Sequence, residues 1–344
     1  MRKRHYGQGG VLRGQELGVF APESGLPPAA KGVVLSQTGW GSREQILRAG
    51  VGVQGTEVPQ LWLCGGDGQL PPVYQRLVVE GVSPRLIRRG ACTVGVGYED
   101  EHADYCLLTG VLPPDLNASR EAQTTAVFEM IEDVLRDEGM TFAQVARTWL
   151  YMDRILDWYD PFNRARDAFF HSRKVYDGLV PASTGIGSAN LYGSAITACA
   201  IAVRPKRSGS LTLTALPSPL QCAALEYGSS FSRAVEWLTP EARTVMVSGT
   251  ASIEPGGATA FVGDVRRQIE LTMDVVRAIL TSRGMDWADV TRAVMYLKRA
   301  EYQEEWEQYL REHALEGMPL ITIEADVCRD DLLVELEADA VKRS

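Results

Sequence analysis

The chain repeats itself at a constant spacing of 145 residues, and no other feature limits its fold as strongly. Gln123 and the run Gly139-Met140-Thr141-Phe142-Ala143-Gln144-Val145 recur as Gln268 and Gly284-Met285-Asp286-Trp287-Ala288-Asp289-Val290. Between Gln and Gly, Val127, Met130, Ile131, Val134 and Leu135 fall at helical intervals, and their counterparts are Thr272, Val275, Val276, Ile279 and Leu280. Such a stripe predicts a helix lying on a sheet, with the glycine as its left-handed stop. Ahead of each helix an apolar strand ends in hydroxyl-Gly, Cys106-Leu107-Leu108-Thr109-Gly110 and Val245-Met246-Val247-Ser248-Gly249. Behind it come a strand (148–152, 293–297) and a second amphipathic helix carrying Phe162, Phe169 and Phe170 or Trp306, Tyr309 and Leu310. Each copy closes with Pro181 or Pro319 and two strands, the last over 196–203 or 334–341. The expected class is α+β, with helices packed on one face of mixed sheets.

Three regions follow: residues 1–88, a first unit over 89–205 and a second over 206–344. The N-terminal region reads as short strands (33–35, 61–63, 77–79) between Gly- and Pro-rich loops. A net charge of −9 and the lack of a basic block beyond Arg2-Lys3-Arg4 argue against nucleic acid as partner. No apolar run is long enough to span a bilayer and no secretory signal is visible, so a cytoplasmic protein is expected. The six cysteines form no C-x-x-C pair and the four histidines no metal-ligand spacing, which predicts reduced thiols, no metal and no cofactor.

The two copies differ at one telling place. In Val334-Glu335-Leu336-Glu337-Ala338 the alternation is that of a strand, and a strand Glu next to sheet core needs a partner or a reason. Aligning the closing Ala-x-Ala-Val of both copies sets Glu335 opposite Thr197 and Cys328 opposite Asn190. A carboxyl group kept in one copy alone is a candidate for chemistry.

Hydroxyl-Gly after a strand, Gln opening a helix, Gly-Met-x-aromatic-Ala-x-Val and the final Val-Glu-Leu-Glu-Ala resemble the RidA/YjgF-like fold, whose units assemble as trimers with ligand clefts between them. Two such units in one chain resemble the chorismatase family over about residues 90–341, and the N-terminal third is then expected to be a degenerate further unit completing a pseudo-trimeric barrel in a monomer. An ordinary RidA deaminase would need Arg after the closing Pro; Ala182-Ser183 and Leu320-Ile321 stand there instead. The resemblance implies chorismate as substrate, within polyketide starter-unit and related pathways. Glu335 would be the general acid that protonates the enolpyruvyl methylene, with its pKa raised by burial. Phe231, Ser248, Gly249 and Asn163 carry over as cleft positions. Two substrate carboxylates call for arginines, and Arg233, Arg154 and Arg166 are the candidates. Cys328 and Gly249 match the branch that forms 3-hydroxybenzoate and pyruvate. A hydrolase giving a dihydroxycyclohexadiene carboxylate, and a non-enzymatic module that binds a small carboxylate, remain as alternatives.

Overall fold

The structure, a computed structural model, describes residues 2–6, 12–21, 32–49 and 58–343. It contains three six-stranded sheets. In the third the strands run Thr212–Leu216, Ala234–Leu238, Ala242–Ala251, Val334–Arg343, Val290–Leu297, Leu320–Glu324 from edge to edge. The second has the same order: Arg85–Arg89, Cys92–Glu99, Ala103–Val111, Ile196–Pro205, Val145–Met152, Ala182–Gly187. Its first strand thus begins four residues ahead of the expected boundary at 89. In each sheet only the last pair is parallel. The first sheet runs Arg2–Tyr6, Leu12–Val19, Val73–Glu80, Val33–Gly41, Gln60–Cys64, and repeats that arrangement with one outer strand fewer among the described residues. Its free edge is taken by Ala189–Asn190, a two-residue strand that crosses over from the second unit.

The helices form where the stripe predicted. Arg120–Asp137 and Val265–Thr281 are capped by Ser119 and Asp264, whose side chains accept from backbone N–H groups three residues on. Gly139 and Gly284 end them at φ +68° and +67°. Burying five side chains of each stripe contributes on the order of 10 kcal/mol, against tenths of a kcal/mol per residue from helix propensity, so packing decides these helices. The outer faces of the second and third sheets carry their helices over separate cores, one holding Phe128, Phe162, Phe169 and Phe170, the other Ile279, Trp306 and Tyr309.

The inner faces meet one another. Trp40, Leu61 and Val73 of the first sheet, Tyr151 and Ile186 of the second, and Val294, Tyr296 and Ile323 of the third share one cluster. The sheets do not join into a single hydrogen-bonded barrel among the described residues; isolated bridges Ala182↔Ser232 and Gly187↔Asp326 link the second and third. Strand register makes Gln75, Cys199 and Glu337 equivalent, since they face Thr38, Trp149 and Val294 in turn. At that level Glu337, fully buried, accepts from Arg147 and Trp149 of the second unit (2.6 and 2.9 Å) and from Arg292 and Tyr296 of its own. Arg292 also donates to Gln75 of the first sheet at 2.7 Å. One carboxylate therefore ties all three sheets together. Glu337→Ala is expected to cost about 3–5 kcal/mol, because the buried Arg147 guanidinium loses its counter-charge and Arg292 keeps only its longer pair with Asp339, and urea unfolding monitored by tryptophan fluorescence measures it.

Candidate active site

Glu335 lies two residues before Glu337 on the same strand face, opposite Tyr296 on one neighbour and Ala251 on the other. Thr197 faces Tyr151 in the same register, so the alignment of Glu335 with Thr197 holds in three dimensions. Thr197 is buried and donates to the Val111 carbonyl at 3.0 Å; the matching residue of the first sheet, opposite Trp40, is Val73. Of three equivalent positions, one alone carries an ionisable group. Its carboxyl group is made possible by Gly249, where a Cβ atom would stand 1.9 Å from Glu335 Oε1. The N–H of Gly249 donates to Thr184 Oγ1 (3.0 Å), and Thr184 in turn donates to Glu337.

The two acids meet opposite fates. Burial alone would raise the pKa of Glu337, but Arg292 and Arg147, with the hydrogen bonds from Thr184 and Arg292, more than offset it and hold the group below the usual carboxylate range. Glu335 is 5% exposed, and its carboxyl group has no hydrogen bond or ion pair among the described residues. Burial pushes its pKa up, the neighbouring Glu337 charge adds to the rise, and the more distant Arg147 and Arg233 recover only part of it, leaving a value of about 8. At neutral pH the group holds its proton. A buried acid without a partner is an expensive arrangement that packing around it must sustain.

Beside it opens a cleft of about 600 Å³, walled by Tyr159, Asn163 and Trp158 of the second unit and by Ser229, Cys328 and Arg329 of the third. Glu335 does not line it; its charge raises the pKa of Cys328 and Tyr159, both of which do. The Cys328 thiol, pushed up to about 12 mainly by burial, stays protonated, with Tyr159 near enough to offset a little of that rise. Tyr159 also lies near Ser229 and Arg166. Arg166 is 3% exposed, its Nη2 donates to Asn163 Oδ1 (2.7 Å), its Nε has no partner, and no carboxylate pairs with it among the described residues. Burial depresses its pKa, as expected of a cation held without its anion. The loop carrying Cys328 is placed by Gln268, which donates to the Asp331 carbonyl and accepts from the Leu333 N–H, both at 2.8 Å.

Other expected residues fare unevenly. Arg233 is buried and donates twice to the Cys222 carbonyl, with its guanidinium 5.6 Å from the Phe231 ring; its field still reaches Glu335. Ser248 is fully buried, accepts from the Ser183 N–H and donates to the Ser232 carbonyl, so its hydroxyl fastens the second unit to the third and is spent on that. Arg154 has a side chain 69% exposed beside Asp153 and Asp157, outside the cleft wall. It begins a left-handed turn at φ +50°, which aims it at solvent. Sequence reasoning passed over Arg147, Thr184, Tyr159, Ser229, Arg292 and Glu337. Arg147 and Arg292, like Tyr151 and Tyr296, keep the 145-residue spacing, a signal that was present. The fold also gathers Glu101, His102 and Glu241, with His102 Nε2 at 2.8 Å from Glu241; Glu101 is exposed, and the group lies away from Glu335. All six cysteines are unpaired.

Fold and cleft together define a chain of RidA-like units in which one inter-unit site has kept an acid. Residues 223–342 match the family described as Endoribonuclease L-PSP. A chorismatase of Streptomyces rapamycinicus is 29% identical over 242 residues, 63% of this chain and 69% of the relative. A 3-hydroxybenzoate synthase of Streptomyces hygroscopicus is 28% identical over 277 residues, 71% of this chain and 75% of the relative. A solved chorismatase structure superposes with a TM-score of 0.72, covering 95% of this chain and 98% of that one at 20% identity, which shows the fold. The chain is thus chorismatase-like in sequence over most of its length and in fold over nearly all of it, and the family resemblance read from the residues is borne out.

The Glu335 proton has a thermodynamic signature. Folded, the carboxyl group keeps its proton up to about pH 8; unfolded, it loses it near the ordinary value of 4.5, so its contribution to stability is full below that value and is lost as pH rises to 8. Glu335→Gln removes this dependence. Relative to wild type, the variant is expected to gain stability between pH 4.5 and 8.5, by on the order of 4 kcal/mol, in paired urea titrations.

Proposed function

We propose that this chain is a chorismatase that converts chorismate to 3-hydroxybenzoate and pyruvate, with Glu335 as the general acid. The observation that carries the reading is a buried, unpaired carboxyl group with a pKa of about 8 whose charge is felt by Cys328 and Tyr159 on the cleft wall, together with the buried Arg166, which has no carboxylate partner among the described residues. The relatives named chorismatase and 3-hydroxybenzoate synthase support it. Arg166 receives one substrate carboxylate bidentately, and the enolpyruvyl arm passes Tyr159 and Cys328 toward Glu335. Glu335 gives its proton to the enol-ether methylene carbon, which becomes a methyl group, and the ether carbon becomes an oxocarbenium ion. The neighbouring ring hydroxyl then attacks the ring carbon bearing the ether; that carbon–oxygen bond breaks, pyruvate leaves, and the hydroxyl proton returns to Glu335. Opening of the resulting arene oxide and loss of a ring proton give 3-hydroxybenzoate, with no water consumed overall.

The protonated thiol of Cys328 beside that ring favours this branch over the hydrolase, which needs a water at the same place. Because one chain supplies three RidA-like sheets around a shared core, we take the monomer as the working unit. No helix among the described residues is long and apolar enough to cross a membrane, and we read the enzyme as cytoplasmic.

Incubation with chorismate and coupled detection of pyruvate test the assignment. Glu335→Gln is expected to lower the rate at least 10³-fold with the fold intact; turnover within tenfold of wild type removes Glu335 as the acid. Since the active form is protonated, kcat/KM should hold level below pH 7 and fall tenfold per unit above about pH 8. Cys328→Ala should raise the share of the dihydroxylated ring product seen by chromatography, and an unchanged ratio would take Cys328 out of branch choice.

A further inference from the structure

The walls of the cleft come from different units: the helix Tyr159–Ser172 of the second carries Tyr159 and Asn163, and a loop of the third carries Gly228 and Ser229. Three further side chains join these two elements. Tyr176, just beyond the helix, bonds through its hydroxyl with Asp167 of the helix and with Ser230 Oγ of the loop, the latter at 2.7 Å. Ser230 Oγ in turn donates to Asp167 Oδ1 at 3.4 Å, which closes a triangle. Asp167 directly follows Arg166, and Ser230, which is buried, directly follows Ser229. Burial and the bond to Asp167 push the Tyr176 pKa up to about 12, so at neutral pH the hydroxyl keeps its proton for that bond.

The loop begins at Gly228, in the left-handed region at φ +82°, and is fastened at its far end by Ser232, whose N–H donates to the Pro181 carbonyl (3.0 Å) and whose hydroxyl donates to the Val180 carbonyl (2.7 Å). Between those points Tyr176 and Asp167 hold Ser230, and the neighbouring Ser229 stands on the cleft wall. The third unit keeps the frame of this arrangement and not the group. Ala314 follows its second helix as Lys174 follows that of the second unit, both at φ +54°, but two residues further on, where Tyr176 stands, is the exposed Glu316. A phenol at this place therefore belongs to the unit that forms the cleft, as the acid at 335 belongs to one copy alone.

We propose that Tyr176 is a positioning residue: through Asp167 and Ser230 it fixes the spacing between helix and loop, and with it the fit of a ring substrate in the cleft. Tyr176 itself does not line the cleft. The fit to substrate rests on the chorismatase assignment; the spacing does not. Tyr176→Phe keeps the ring against Phe170 and His171 and removes only the hydroxyl. Hydrogen exchange of the full chain, read on peptides spanning 224–232, is expected to quicken about tenfold in the variant, with the helix Val265–Thr281 at its wild-type rate. With chorismate, KM is expected to rise about tenfold and kcat to fall by less than about threefold, since fit is lost and the proton donor is kept. Ser230→Ala should act alike, and the double variant should add nothing to either single one, because both remove the same link. Unchanged loop exchange, a KM within about twofold of wild type even where the urea midpoint falls, or fully additive single effects overturns the proposal. Absence of pyruvate from the wild-type chain would instead strike the chorismatase assignment, and loop exchange alone then decides whether Tyr176 holds the loop.

Discussion

Glu337 is the group on which the rest of the structure turns. Five donors from two units converge on its carboxylate, and one of them, Arg292, reaches on to the third unit through Gln75. A buried ion cluster of this kind adds little net stability over an apolar replacement, since desolvation consumes most of the attraction. What it does add is register. Arginines from strands of two different sheets can meet one carboxylate only if those sheets face each other at one relative height, and that alignment brings Gly249 opposite Thr184 and Ser248 opposite Ser183.

The proton held by Glu335 depends on that alignment. Glu335 and Glu337 are the same residue type on the same face of one strand, yet one is held ionised and the other protonated. The difference lies in where the donors run out. Arg147, Thr184, Trp149, Arg292 and Tyr296 all donate to Glu337, and none of them donates to Glu335. A clamped carboxylate next door then raises the proton affinity further. Arg166, a buried cation without a carboxylate partner among the described residues, completes the contrast.

Three units and one such site also account for the uneven decay of the chain. The position of Glu335 is Thr197 in the second unit, where the hydroxyl bonds back to its own sheet, and Val73 in the first, where it joins the shared apolar core. The Gln that opens each long helix was kept in both copies for a plainer purpose. Gln123 accepts from the Ala195 N–H as Gln268 accepts from that of Leu333, pinning the loop before the last strand. Only in the third unit does that loop deliver a thiol to a cleft.

Much of this was written in the chain. Helical stripes, their glycine stops, the strand order of two units and the odd acid at 335 follow from local periodicity and an internal repeat, both of which depend on neighbours in sequence. Residues 1–88 were hard to read. Short strands were expected at 33–35 and 77–79, whereas the structure has Val33–Gly41 and Val73–Glu80. Polar residues such as Gln37, Thr38 and Arg76, buried between the sheets, interrupt the apolar pattern that would have shown their length. Arg154 and Arg166 looked alike as cations flanking Asn163; a left-handed turn sends the first to solvent, and the helix face buries the second. Ser248 looked like a ligand contact and is consumed in a bond between units. The sequence alone determined which groups exist and on which face of each element they stand. Their charge states, their partners and which of them remain unpaired were decided only when three sheets closed on one another, because desolvation and ion pairing act across distances that the order of residues does not record.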